Sequence, residues 1–295
     1  MNVTRIAFLL LMSQVFLTGQ SLDGIIDIHV HSGPDSIPRK IDSMELARRA
    51  KSFGFRGLVL KNHYESTAAV AYLVRKEVPG IEIFGGVDLN LSVGGMNPAA
   101  VEHMAKMQGG FGKLVWMASF DEEAQVRYVK ENRPWVSVSK NGQLLPEVKQ
   151  VIGMIAKYNL VMATGHPTAE EALLLIHEAR RQGVKQIVVT HAMIAPIHMN
   201  LAQMQEAAKL GAYVEFVFNG LIGSYKEFTF ADYAKAIRGI GVDHAILASD
   251  LGQVKNPDHM DGWKLYLTGM KGEGFSAAEL DRMTKENPAR LLGLR

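Results

Sequence analysis

The sequence predicts a parallel (β/α)8 barrel, and three observations carry that expectation. Short β-branched runs alternate with longer helical patterns through residues 21–295. Most of those runs are apolar throughout, as strands covered on both faces must be, rather than alternating polar and apolar. No glycine-rich phosphate turn follows the first run, which argues against the open doubly wound sheet. Gly24 and Gly33 flank His29 and His31 there instead. Eight strand–helix units in a single domain of this length match the size and order of the barrel.

The candidate strands are residues 25–29, 57–60, 81–87, 113–117, 160–163, 186–189, 212–218 and 245–248. Between them lie helical patterns with their own start and stop signals. Residues 43–54 close on Gly54, and Thr168 with Glu171 makes a capping box for a helix reaching Gly183. Residues 200–211 and 277–286 read the same way. After strand four, residues 135–140 alternate and end in Asn141-Gly142, a hairpin dipeptide, so a small β excursion is expected there rather than a second domain.

The N-terminus differs from the rest. Arg5 precedes the apolar run Ile6–Met12, which resumes at Val15-Phe16-Leu17 and ends in Thr18-Gly19-Gln20-Ser21. That order reads as a secretory signal peptide, and the run is too short for a comfortable membrane span. The expected organisation is a signal peptide over residues 1–20 and a barrel domain over 21–295, secreted or periplasmic. A buried first helix or an uncleaved anchor is the alternative.

The composition is that of an ordinary globular protein, 47% apolar and 21% charged. Lys and Arg number 32 against 30 Asp and Glu, so no basic face points to nucleic acid. No later apolar stretch approaches a spanning length, so no membrane association is expected after signal removal. A small-molecule substrate is the expected partner, and oligomeric state has no sequence signal. Cysteine is absent, so any metal must be held by nitrogen and oxygen.

In this architecture the C-terminal ends of the strands converge on one face, where active sites are built. Strand one ends in Asp27-Ile28-His29-Val30-His31, and residues two apart in an extended chain share a side. Strand two ends in Lys61-Asn62-His63, strand five in Thr164-Gly165-His166, strand six in Thr190-His191 and strand eight in Ser249-Asp250. One histidine at a strand end is more often a satisfied core or surface residue than a ligand. Five of the chain's ten histidines in such places imply a metal site. His103 and His177 fall in helical patterns, His244 precedes strand eight, and His259 reads as a loop residue. His198 lies in the loop after strand six, on the same face, and is a candidate to touch substrate.

These residues resemble the amidohydrolase superfamily of metal-dependent hydrolases. His29-Val30-His31 is similar to the family's HxH motif after strand one. His166 and His191 are similar to its histidines after strands five and six, and Asp250 to its aspartate after strand eight. The ending 286–293 resembles the terminal helix motif of many members. HxH alone is a weak signal, whereas the ordered set across the whole barrel is specific. Lys61-Asn62-His63-Tyr64, Val115-Trp116-Met117 and residues 249–253 resemble a branch of uncharacterised members, which carries no substrate.

The resemblance implies a divalent metal, zinc foremost and manganese as the alternative, in one or two ions. His29 and His31 with Asp250 would hold the more buried ion, and His166 and His191 would hold a second or bind substrate. Asp250 would also take a proton from the activated water and pass it to the leaving group. One departure from the family is plain. Binuclear members carry a bridging carboxylated Lys, or a Glu, after strand four, but here residues 113–119 place Lys113 at the start and no acid or Lys at the end. Asp121, Glu122 and Glu123 read as the first turn of a helix.

Lys61 is the nearest substitute. It is expected either to be carboxylated and bridge two metals, or to remain a cation for a substrate anion; a solvated loop lysine is the bland alternative. His63 is expected to orient substrate or ligate, and Asp88 and Asn90 after strand three are further candidates. The expected activity is metal-dependent hydrolysis of an amide, cyclic amide, lactone or ester. A decarboxylase, hydratase or phosphoesterase on the same barrel is the alternative enzyme, since fold does not fix reaction. A non-catalytic extracytoplasmic metal-binding protein is the third, which the intact Asp250 argues against.

Overall fold

A computed structural model of the chain describes residues 21–294. The expected signal peptide, residues 1–20, lies outside the described residues. The strands are β1 (Ile26–Val30), β2 (Gly57–Leu60), β3 (Glu82–Asp88), β4 (Gly112–Trp116), the hairpin pair β5 (Ser139–Lys140) and β6 (Gln143–Leu144), β7 (Val161–Ala163), β8 (Gln186–Val189), β9 (Tyr213–Val217) and β10 (Ala245–Ala248). Eight of them form one parallel sheet in the order β1-β2-β3-β4-β7-β8-β9-β10. The ends meet through a parallel bridge between Val30 and Leu251, with His31 N donating to Leu251 O at 2.8 Å and Asp250 N to His29 O at 2.9 Å. The fold is the (β/α)8 barrel, and no strand boundary departs from the sequence expectation by more than one residue.

Helices follow each barrel strand: α1 (Ser43–Ser52), α2 (Ala68–Glu77), α3 (Pro98–Ala105), α4 (Glu123–Tyr128), α5 (Pro146–Lys157), α6 (Ala169–Arg181), α7 (Leu201–Lys209), α8 (Phe230–Ile240), α9 (His259–Gly272), α10 (Ala277–Asp281) and α11 (Asn287–Leu291). Helices α6, α7, α8 and α10 begin with reciprocal capping boxes, Thr168/Glu171, Asn200/Gln203, Thr229/Asp232 and Ser276/Glu279. Each box satisfies two backbone or side-chain donors that a helix start would otherwise expose. The expected β excursion is the β5–β6 hairpin, turned by Asn141 and Gly142 at φ 52° and 72°. Both values are what a two-residue turn between right-twisted strands requires. No helix among the described residues is long and apolar enough to cross a membrane.

Two apolar layers hold the barrel. The larger lies between strands and helices. The smaller fills the interior with Ile26, Ile28, Phe84, Leu114, Trp116 and Ile246, and Leu291 of α11 with its C-cap Leu292 closes its lower end. Asn287 anchors that plug by donating to Ala245 O at 2.7 Å and Val242 O at 2.8 Å. The β1–β2 register shifts between Asp27 and Val30. Such an irregularity re-aims side chains, and here it turns His29 and His31 toward the open end, above the interior formed by Ile26 and Ile28.

Two polar groups brace the same strand from behind. His259 is not a loop residue: it opens α9, 1% exposed, with Nε2 at 3.0 Å from Leu251 O and 3.2 Å from His31 O. The N-cap Asp258, which accepts from Met260 N, starts that helix and draws His259 under the seam.

Asp27 is fully buried; Oδ1 accepts from Ser249 N at 3.1 Å and His29 N at 3.2 Å, and Oδ2 from Trp263 Nε1 at 2.7 Å. Burial pushes its carboxyl up to about 7, against the lowering effect of those hydrogen bonds. The folded value lies above the unfolded one, so this group's contribution to stability is complete below its unfolded pKa and is lost as pH rises through about 7. Asp27→Asn cannot titrate, and its amide N–H groups oppose donors. The variant is expected to be less stable by about 1–3 kcal/mol at pH near 5, with the deficit shrinking as pH rises toward about 7 and constant above it. Denaturant unfolding of both proteins across that range reads the difference, and a pH-independent deficit would rule out Asp27 as the titrating group.

Candidate metal centre

The first two ligand candidates come from the end of β1. His29 and His31 are each 1% exposed. His29 Nδ1 lies 3.2 Å and 3.3 Å from the carboxylate oxygens of Glu215, on β9. The ionised carboxylate can only accept, so with Glu215 in that form Nδ1 carries the proton and Nε2 is left bare. That bare Nε2 is buried, has no hydrogen-bond partner among the described residues, and stands 3.4 Å from Asp250 Oδ1. His31 Nε2 reaches the same oxygen at 3.0 Å. One donor atom from each of His29, His31 and Asp250 thus lies within 4.8 Å of the others.

Asp250 reaches this position through an unusual backbone. It is two residues past β10, with φ at 49°, a left-handed conformation that Asp tolerates better than most residues. The next turn needs Gly252, whose φ is 133° and whose Cβ would fall 2.0 Å from His31 O. The second carboxylate oxygen accepts from Asn219 Nδ2 at 3.2 Å, and Asn219 is itself held by Asn256 Nδ2 at 2.8 Å. Burial alone would raise the Asp250 carboxyl. The surrounding imidazoles of His29 and His31, with the His31 hydrogen bond, outweigh burial and hold it well below the usual carboxylate range.

His166 and His191 form a second pair beside the first. Their Nε2 atoms are 3.0 Å apart, and the His191 ring stacks on His29 with centroids 6.1 Å apart. His166 Nδ1 donates to Gln125 Oε1 at 3.1 Å, which leaves its Nε2 to accept. Gly165, at φ 75°, lets the chain turn into the mouth where a Cβ would meet Met117 O at 2.3 Å. His191 also sits at positive φ, 23°, and its backbone N–H donates to Glu215 Oε2 at 2.9 Å. Strain of this kind persists only where surroundings over-determine it, and it gathers at functional sites.

Burial pulls the imidazoles of His29 and His31 down to about 3 and His191 to about 4, and it pulls His166 and His63 well below the ordinary value. Neutral imidazoles are what a metal accepts. Glu215 behaves oppositely: burial pushes it up to about 7, with His191 working to lower it.

The pocket above these residues encloses about 420 Å³ and is lined by His29, His31, Lys61, His63, His166, His191 and Asp250 together. These seven strand-end residues therefore open onto one cavity. Lys61 is not solvated; its side chain is 1% exposed and lies 5.5 Å over the Trp116 ring. His63 stacks on Phe120 at 3.6 Å and shares a hydrogen bond with Ser119 Oγ at 2.9 Å. His198 stands outside the lining, paired at 2.7 Å with Glu227, which does line it. Asp88 and Asn90 hold neighbours instead of facing the pocket. Asp88 accepts from Ser119 Oγ at 2.5 Å, and Asn90 Nδ2 donates to His63 O at 2.7 Å. The acids that follow β4 do not line the pocket: Glu122 caps α4, accepting from Ala124 and Gln125 backbone N–H groups, as its place in the sequence suggested. Sequence reasoning missed Glu215, Asn219, Gln125 and Arg39, of which only Glu215 left a signal, a lone acid inside an apolar strand.

Comparison with known proteins agrees with the barrel fold. A model described as "Family of unknown function (DUF6282)" matches residues 24–215. No functionally curated protein matches the sequence. Among solved structures, an amidohydrolase from Pseudomonas aeruginosa is similar at TM-score 0.62 and 12% identity, covering 92% of this chain and 96% of its own. A weak promiscuous lactonase, a template for engineered organophosphate hydrolysis, is similar at TM-score 0.63 and 14% identity, covering 92% and 97%. A 2,6-dihydroxybenzoate decarboxylase from Rhizobium is similar at TM-score 0.58 and 12% identity, covering 92% and 99%. At these identities the likeness is one of fold.

Proposed function

The chain belongs to DUF6282, a family of unknown function, and from that premise we propose that it is a metal-dependent hydrolase of the amidohydrolase type. The observation that carries the proposal is His29. Glu215 fixes its proton on Nδ1, and its bare, buried Nε2 faces Asp250 and His31. A buried imidazole nitrogen with no hydrogen-bond partner costs free energy that a bound cation would recover. The set of nitrogen and oxygen donors suits zinc, or manganese as the alternative. When bound, such an ion supplies a Lewis acid that polarises a scissile carbonyl and acidifies water.

The chain's own residues supply the rest. Asp250, ionised, receives the proton released during attack and returns it to the leaving group. Asn219 holds its second oxygen and so fixes the carboxylate plane. His166 and His191 face the same cavity, to bind substrate or as ligands of a second ion. The bond cleaved is proposed to be an amide, cyclic amide, lactone or ester in a small molecule. Export of the chain to a secreted or periplasmic location is part of the proposal and rests on the sequence of residues 1–20 alone.

Elemental analysis of protein purified without added metal is expected to give about one or two ions per chain, lost in His29→Ala/His31→Ala. The loaded protein is then assayed on lactones, esters and amides beside carboxylates scored for CO2 release. Absence of metal even after reconstitution would end the proposal, and CO2 release alone would replace hydrolysis by decarboxylation.

A further inference from the structure

Two cations face the pocket with donors that the described residues leave unmet. Lys61 Nζ is buried, has no hydrogen-bond partner among the described residues, and lies 3.8 Å from Asp88 Oδ2. That distance is beyond a hydrogen bond, and the same oxygen already accepts from Ser119 Oγ at 2.5 Å. Arg39 arrives from the loop between β1 and α1, its side chain 4% exposed, with Nε donating to Asp35 Oδ2 at 2.6 Å. Its Nη2 is likewise buried without a partner among the described residues. Both residues line the cavity that holds His29, His31 and Asp250.

An ammonium removed from water without hydrogen bonds is costly. The protein recovers that cost only if something entering the pocket accepts from it. The acid at the rim offers no competing demand for a cation, because Glu227 already accepts from His198 Nε2 and Ala195 N. One side of the remaining wall is apolar and aromatic, with Phe120, Tyr128, Val129 and Ile194, while Gln125, Asn219 and Gln253 supply neutral polar groups. A cationic floor beneath an apolar wall selects a molecule with an anionic head and an apolar body.

Resting on hydrolase function at this same site, we infer that the substrate is a small organic carboxylate, its carboxylate held by Lys61 with Arg39 as the second cation and its body against the apolar wall. Asp35 already offsets the Arg39 charge, so Lys61 Nζ and Arg39 Nη2 offer two unmet donors, which match the two oxygens and single charge of a carboxylate better than the three oxygens and two charges of a phosphate dianion. Lys61 then sets specificity, while the bond cleaved lies nearer Asp250.

Calorimetric titration of the full chain, metal-loaded and metal-free, with benzoate, benzamide and phenyl phosphate tests this. Benzoate is expected to bind both forms about tenfold or more tightly than benzamide. Lys61→Met is expected to remove that preference and Lys61→Arg to keep it. Lys61→Gln gives the same measurement if the Met variant does not fold. A preference that survives loss of the charge overturns the inference, as does tighter binding of phenyl phosphate. A preference confined to the metal-loaded form would place the carboxylate on the ion and also overturns it. So would a carbamate resonance on Lys61 after carbon-13 bicarbonate labelling, because the residue would then be an anion. If metal-free protein shows the Lys61-dependent preference while the loaded protein cleaves nothing, the carboxylate site stands and hydrolysis falls.

Discussion

Asp250→Asn is expected to lower turnover by about 10²–10⁴-fold, the usual contribution of a positioned acid–base group, while leaving the barrel folded. The substitution is nearly isosteric, and Asn tolerates the left-handed backbone at φ 49° as well as Asp does. What changes is charge and basicity. The wild-type carboxyl is ionised because the imidazoles and the His31 hydrogen bond outweigh its burial, so it stands ready to take a proton. An amide cannot. Its N–H groups must also face either Asn219 Nδ2, another donor, or the bare His29 Nε2, whose lone pair the metal needs. Assays at saturating metal, with metal content measured in parallel, separate lost proton transfer from weakened binding. A variant that retains metal and turns over within about tenfold of wild type would remove Asp250 from the proton's path.

The asymmetry between what sequence revealed and what it hid has a physical origin. Parallel strands buried on both faces are apolar to their ends, so the abrupt change to His29, His31, Lys61, His166, His191 and Asp250 marks the mouth without further information. Glu215 was marked only as a lone acid inside β9, and the pattern Tyr213–Val217 does not say which partner it meets. Arg39 was hidden for another reason. Its position depends on the β1–α1 loop folding back over the mouth, where Lys40 N donates to Gly252 O at 3.0 Å and Arg39 bridges to Gln253. Loop paths of that kind depend on contacts distant in sequence. Lys61 shows the middle case: its place at a strand end was legible, but its burial was set by Trp116 and Asp88 from two other strands.

Glu215 makes the second large effect. Glu215→Ala is expected to weaken metal binding by about 10–100-fold, the range found when the outer partner of a ligating histidine is removed. Its carboxylate does two jobs, fixing the proton of His29 on Nδ1 and holding the backbone N–H of His191 at 2.9 Å. Without it His29 is free to place the proton on Nε2, the nitrogen that must stay bare. Glu215→Gln separates geometry from charge, because its carbonyl oxygen still accepts from Nδ1. Gln is expected to fall between Ala and wild type. The carboxyl's folded value of about 7 adds a pH signature: a metal that favours the ionised form should bind more tightly as pH rises through that value, and the Gln variant should lose this part of the dependence. Competition with a chromogenic chelator from pH 6 to 8 reads both effects. Equal affinities and equal pH slopes in all three proteins would show that β9 merely fills space beneath His29, and the single observation supporting the metal centre would lose its force.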